Sequence, residues 1–407
     1  QSILPNYEIF LYMSNSQMTP RRILIFGSAM HIWSDLVFAL LIPLLPAIKD
    51  SLGLTYAEVG LLRSTHSGAT AVLQVPAGFL AEYFGEFWML VTGNLWASAG
   101  LVGMGLSNGF WLLFIFAIIG GLGGGTQHPL ASSMVSRAYN DSGRSAAVGT
   151  VNFSGDLGKM IAPALGGTLL IIFGWGGTML YIGAAGVFLM LATSAFNRNL
   201  NMGRPNLNVT TLPSGDPLGE SPRNKAFISL SFIGALDNAT RTGVLVFLPF
   251  ILVGHGMGTG EISTALFLLF SGGAAGKYVC GWLDGKIGTV NIIWITKGMT
   301  AVFVVLSLYT PYLLIWPLVL VMGVGLNGTS SALYATVAKF VPTSRRARYY
   351  GFFYTTNEIG TIGAPLLYGF VADAFGLVRS TYVMGLVTFA ILPLSLGLRK
   401  YLSSDVL

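Results

Sequence analysis

Ionisable side chains stand where the sequence is otherwise too apolar to hold them. His31 and Asp35, four residues apart, interrupt one hydrophobic run, and Arg63 and His66, three apart, interrupt the next. Further along come His128, Asp156 with Lys159, Asp237 with Arg241, Lys277, Lys297 and Glu358. On a helix, residues three or four apart share a face, so each close pair points one way. An ionised group at the centre of a membrane helix costs about 2.5–3.5 kcal/mol on insertion scales. Each such group therefore needs a partner, a water-filled cavity or a task. With the histidines neutral, five cations face four carboxylates in these runs, a near balance that favours internal pairing over a bare charged pore.

Enzyme chemistry finds no comparable pattern. There is no nucleophile elbow, phosphate loop or HExxH segment. His31, His66 and His128 lie on separate helices and could meet, but no Cys or carboxylate accompanies them at ligand spacing, so neither a metal site nor a cofactor is expected. Cys280 is the only cysteine, which excludes disulfides and thiolate metal centres. The formal charge of +6 does not point to nucleic acid, because charged residues are only 9% of the chain and a basic binding face needs them clustered. A channel is disfavoured, since a continuous pore would solvate the pairs, and a primary pump would need a nucleotide-binding domain.

The elements that must carry these groups follow from length. A helix crossing a hydrocarbon core of roughly 30 Å needs about 20 mainly apolar residues. In 407 residues, 53% of them hydrophobic, twelve such runs can be marked: 23–48, 57–81, 87–106, 110–135, 146–173, 177–196, 226–253, 262–283, 290–310, 312–340, 349–371 and 381–398. The expected architecture is an all-α membrane protein with a tail 1–22, a six-helix bundle 23–196, a polar linker 197–225, a second bundle 226–398 and a tail 399–407. Fifteen Lys and Arg fall in connections on the N-terminal side, among them Arg137, Arg144, Arg345 and Arg346, against Lys49 and Arg379 on the other. The positive-inside rule then puts both termini in the cytoplasm. The setting this implies is a lipid bilayer, the bacterial inner membrane, with the chain a monomer. The first run is too long and Arg-flanked for a cleaved signal peptide. Met13 opens a stretch that looks like a natural start, and residues 1–12 are then expected to be either an upstream extension or an added segment.

The halves carry the same marks. Gly121, Gly123, Arg144, Asp156, Gly158, Ala162, Pro163 and Gly167 recur 202 residues later as Gly323, Gly325, Arg346, Glu358, Gly360, Ala364, Pro365 and Gly369. Glu58, Gly78 and Gly85 recur 203 residues later as Glu261, Gly281 and Gly288. An even number of spans per copy makes the repeats parallel. Two six-helix copies joined by a polar linker resemble the major facilitator superfamily over essentially the whole chain. Its loop motif after the second helix is partly present as Gly78, Leu80, Glu82 and Gly85, with Tyr83, Glu86 and Phe87 in place of basic residues. Gly158, Ala162, Pro163, Gly166 and Gly167 are similar to the family's antiporter motif. His31 with Asp35, Leu54-Thr55 and His128-Pro129 look like the fosmidomycin-resistance branch of drug exporters.

The duplication superposes His31 on Asp237 and Asp35 on Arg241. A network of Asp35, Arg241, Asp237 and His31 near the midplane is expected, as a proton-coupling device or as packing without a transport role. Arg63 and His66 fall in the outer half of their span and Lys277 in the inner half of its own. With Arg241 they would bind a small organic anion or drug, drawn in through a low-dielectric vestibule. Trp33, Tyr334 and Tyr354 are expected to line the same cavity. Asp156 and Lys159 read as a structural ion pair, and Lys297 as snorkelling or locally paired. Glu358 has Thr361 where Asp156 has Lys159, so it lacks a local cation and is a second proton site beside Asp35. The runs 120–125 and 323–328, with Gly124, and the bend at Gly158, Pro163 and Gly166 are expected at moving contacts. The function these readings imply is a secondary active transporter coupled to protons, export favoured, with an uptake symporter as the alternative and a channel behind it.

Overall fold

In the computed structural model, which describes residues 19–139, 141–197, 224–340 and 346–402, the chain runs as helices and no strand occurs among the described residues. The helices are α1 Pro20–Leu52, α2 Tyr56–Phe84, α3 Glu86–Gly105, α4 Phe110–Gly124, α5 Gln127–Ala138, α6 Asp141–Asn197, α7 Asn224–Gly254, α8 Thr259–Ile287, α9 Thr289–Leu306, α10 Tyr312–Phe340, α11 Arg346–Phe375 and α12 Leu377–Leu402. Most of the expected linker and tails, with Met13 and Arg345, lies outside the described residues. Among the described residues, nine helical stretches are long and apolar enough to cross a membrane. One of these, 50 residues long, covers two expected spans, and α2 and α11, which carry Arg63, His66 and Glu358, are helices of 29 and 30 residues too polar to be among the nine.

One expected span is built differently from the others. The fourth is two helices, α4 and α5, separated at Gly125 and Thr126. Pro129 fits the place: it has no N–H to give to the Gly125 carbonyl, so the helical hydrogen bonding is interrupted there, and proline is well suited to the first turn of the helix that follows. The break sets His128 in that first turn. The fifth and sixth spans are two helices, as expected, which meet at Gly174, where φ is 68° and the backbone is not helical; α6 denotes the pair.

The repeat is visible in the backbone itself. Among the described residues, the six glycines of positive φ fall into three pairs at the repeat spacing: Gly53 with Gly256, Gly85 with Gly288, and Gly174 with Gly376. Such a conformation is costly for a residue with a Cβ, so each pair fixes the same turn twice. The starts of α2 and α8 match as well. The Thr55 N–H donates to Glu58 Oε2 at 2.8 Å, and the Gly258 N–H to Glu261 Oε2 at 2.7 Å.

Packing within each bundle depends on small residues, because lipid offers helices no hydrophobic reason to associate. A Cβ on Gly123 would stand 2.4 Å from the Ala97 nitrogen of α3, and one on Gly121 2.4 Å from the His66 carbonyl of α2. Gly323 meets Leu269 of α8 in the same way, and Gly325 meets Thr296 and Thr300 of α9. The glycine runs expected at a moving seal thus hold each bundle together internally. Gly124 has ordinary room for a Cβ, 3.5 Å from Thr70 Oγ1. Gly158 and Gly166 lie against Ile32 and Leu40 of α1, again inside one bundle.

The bundles meet through α2 with α11 and α6 with α8, at the end remote from Thr19 and Leu402. A Cβ on Gly60 would be 2.2 Å from the Pro365 carbonyl, one on Gly369 2.4 Å from the Tyr56 carbonyl, and one on Gly167 2.0 Å from Ser263 Oγ. Toward the other end a Cβ at Gly78, Gly149 or Gly351 would meet nothing within 4 Å, so these helices diverge and the structure is open there. Asp373 of α11 closes the remote end across the bundles. Its carboxylate accepts from the N–H groups of Tyr56 and Ala57 at 2.8 Å each, a negative charge on the positive end of α2. Replacing Asp373 by Ala removes two charge-assisted hydrogen bonds, each worth roughly 1.5–3 kcal/mol. The remote end should then open more often, and a cysteine placed at Ser263, with Cys280 replaced by Ser, should react with a bulky thiol reagent at least tenfold faster. An unchanged rate would mean that the glycine contacts alone hold this end shut.

Candidate functional site

The midpoint of α1 brings His31 and Asp35 against α5 and α6. The approach of α6 is set by Gly158, where a Cβ would stand 2.3 Å from the Ile32 carbonyl. Lys159, the next residue, is therefore delivered to Asp35, with Nζ 3.0 Å from Oδ2. His31 Nε2 is 3.6 Å from the same oxygen, His128 Nε2 is 3.7 Å from Oδ1, and the two imidazoles meet at 3.1 Å. Asp35 and His31 are each 2% exposed, whereas the His128 side chain is 48% exposed toward the opening between the bundles.

The cluster continues across the bundle boundary. Lys159 also lies 3.5 Å from Asp156, but the short bonds of Asp156 come from elsewhere: Lys277 Nζ on α8 donates to its two oxygens at 2.7 and 2.8 Å. The pair expected to be Asp156 with Lys159 alone is thus a relay, from His31 and His128 through Asp35, Lys159 and Asp156 to Lys277. It ties α1, α5 and α6 of one bundle to α8 of the other.

The expected ring of Asp35, Arg241, Asp237 and His31 does not form. Asp237 pairs with Lys297 of α9, inside the second bundle, and the two are 1% and 0% exposed. Lys297 is locally paired and does not snorkel. Arg241 is half-buried, with no carboxylate of a described residue at ion-pair distance. Together with Arg63 it supplies the positive field that reaches Glu358 on α11. Arg63 is itself buried, its Nη1 donating to the Phe38 carbonyl at 3.3 Å beside His66 at the same distance, with its guanidinium 4.0 Å from the Phe38 ring.

The aromatic candidates separate. Trp33 donates to Ser98 Oγ at 3.0 Å and lies against Gly186, so it packs within the first bundle. Tyr334 and Tyr354 pack with their rings tilted by 30° and centroids 5.1 Å apart, in the second bundle, and Tyr334 lies within the fields of Arg241, Asp237 and Glu358. In the altered loop motif Glu86, at the start of α3, pairs with Arg137 at the end of α5, so this connection holds its charge pair with an acid where the family motif has a base.

The sequence profile of the Major Facilitator Superfamily matches residues 27–365. The chain belongs to this superfamily. It is 23% identical over 356 residues to the fosmidomycin resistance protein of Escherichia coli (strain K12), covering 85% of each chain. It is 24% identical over 374 residues to the hexuronate transporter of Bacillus subtilis (strain 168), covering 85% of this chain and 86% of that one. In fold it is similar to a bacterial homolog of the human lysosomal transporter Spinster in an inward-facing and unoccupied conformation, with TM-score 0.79 and 17% identity, covering 96% of this chain and 99% of that one. As a major facilitator it transports small molecules. The cluster described here occupies the boundary between the two bundles of that fold.

Gly60 and Asp373 had no place among the sequence-based candidates, and His128 stood there only as a buried histidine and in the His128-Pro129 resemblance. His128 carried a signal, the Pro129 that starts its helix. Asp373 carried none, because its partners are backbone N–H groups of a distant helix.

Proposed function

We propose that this transporter carries a small organic anion by alternating access, driven by a proton gradient, with export the favoured direction. The observation that carries the reading is the Lys277 to Asp156 bridge between bundles, backed by Lys159, Asp35 and the two histidines. An anion entering the opening competes with Asp156 for Lys277, and the carboxylate it displaces turns to Lys159. Asp35 then loses its cation and takes up a proton, with His31 and His128 leading to the opening. Arg241, Arg63 and His66 extend the positive lining, Tyr334 and Tyr354 flank it, and Glu358 with Asp237 belongs to the second bundle's share of the charge exchange. Trp33 supports α1 from behind.

The positive-inside count supports a cytoplasmic side for both termini, which makes the observed opening cytoplasmic, and an inner membrane for a monomeric chain. Relatives named for fosmidomycin resistance and for hexuronate, a carboxylate, support an anionic or drug substrate. The test is a panel of carboxylates, phosphonates and antimicrobial compounds in proteoliposomes with an imposed pH gradient. Wild type should accumulate its substrate against the gradient of that substrate. Asp35→Asn should keep substrate exchange and lose pH-driven accumulation. Full accumulation in Asp35→Asn would remove Asp35 from the coupling, and the sign of the effective gradient separates export from uptake.

A further inference from the structure

The junction of α1, α5 and α6 holds more lone pairs than its neighbours satisfy. One donor atom from each of His31, Asp35 and His128 lies within 4.8 Å of the others. A carboxylate has no proton to give and a neutral imidazole gives one from a single nitrogen, so the 3.1 Å bond between the rings uses one N–H and few protons remain for the other lone pairs. Lys159 Nζ is the ion-pair partner of Asp35 Oδ2 at 3.0 Å, while His31 Nδ1 is buried without a hydrogen bond. Opposite them α6 presents no side chain: a Cβ on Gly155 would stand 2.4 Å from Asp35 Oδ2 and 2.7 Å from His31 Nε2. The glycine lets the α6 backbone close onto this junction without a side chain of its own covering the donor atoms.

We propose that His31, Asp35 and His128 bind a divalent transition-metal ion of the imidazole-preferring class, zinc foremost. Two imidazoles and a carboxylate are three ligands of a type that zinc accepts, and the fourth position would face the opening, where water or an anion completes the set. Zinc ligands at about 2.0–2.2 Å from the ion stand roughly 3.3 Å apart. The separations of 3.1 and 3.6 Å around His31 Nε2 are already close to that. Around the site Lys159 and Lys277 are matched by Asp35 and Asp156, so the ion enters a neutral neighbourhood through the half-exposed His128. As it takes over the charge of Asp35, Lys159 turns to Asp156, 3.5 Å away, and there competes with Lys277. The site does not depend on what the protein transports.

The test uses the purified full chain without a polyhistidine tag. Zinc is titrated by calorimetry, and cobalt(II) by its ligand-field absorption. One ion per chain is expected, with a four-coordinate cobalt spectrum that zinc abolishes. His128→Ala, at the exposed edge of the cluster, should weaken zinc at least tenfold, and Gly155→Ala, which keeps all three ligands but forces a methyl against Asp35 and His31, by roughly 10–100-fold. His255→Ala should leave the affinity unchanged, since that ring is held by the Ser307 carbonyl at 2.7 Å in another part of the fold. Wild type that elutes as folded protein yet binds no zinc overturns the proposal, as does binding that survives both His128→Ala and Gly155→Ala.

Discussion

Lys297→Met should leave little folded protein, whereas Lys297→Met combined with Asp237→Asn should recover much of it. Lys297 and Asp237 are among the most deeply buried groups in the chain, 0% and 1% exposed, and Lys297 adds only a long contact of 3.4 Å to the Leu326 carbonyl. Removing one partner of such a pair strands the other charge in a low-dielectric interior, at a cost of about 3–5 kcal/mol, while replacing both by neutral groups is often close to neutral. A stability of 5–15 kcal/mol, typical of a domain, makes the single loss severe. Melting followed by size-exclusion chromatography in detergent reads the effect. The double-variant cycle should show coupling well beyond the few tenths expected of independent sites. If the double variant is no better than Lys297→Met, Asp237 is not the reason that Lys297 is needed.

The spans were legible because lipid imposes a length on any apolar helix, and the repeat because turns of positive φ demand glycine at matching places. The partners of the buried charges were not. Spacing of four residues puts His31 and Asp35 on one face of α1, but it says nothing about which helix that face meets. That choice is made by Gly158, which lets α6 approach α1 and so brings Lys159 to Asp35. Its copy Gly360 approaches Ala235 of α7 in the same way, at 2.0 Å from a Cβ to the carbonyl, but the residue after it is Thr361, so no cation arrives there. Lys297 fills the corresponding need from α9. Its counterpart 203 residues earlier is Asn94, which donates to Gln127 at 3.2 Å and leaves the first bundle without a lysine at that place. The two halves share a backbone and differ in their charges, and superposing them as complementary charges therefore misassigned the partners of Asp35 and Asp237.

The same asymmetry sets the sign of the largest functional effect. Asp156 holds Lys277 with both oxygens, so an anion that needs Lys277 must displace a carboxylate already bound. Removing the competitor should help the anion: Asp156→Asn is expected to bind the transported anion more tightly. A hydrogen bond to a charged group is worth roughly 1.5–3 kcal/mol, or about 10–100-fold in affinity, and partial exposure of Lys277 places the gain toward the lower end. Lys277→Gln should weaken the same anion by a comparable factor, and the double variant should behave like Lys277→Gln, because there is then no cation to compete for. Turnover should fall in all three, since tighter binding without exchange between bundles does not release substrate. The measurement is equilibrium binding of an anion found to be transported, at fixed ionic strength, alongside its flux in proteoliposomes. Weaker binding in Asp156→Asn would mean that the carboxylate orients Lys277 toward the substrate, and competition for that lysine would no longer describe how the bundles exchange charge.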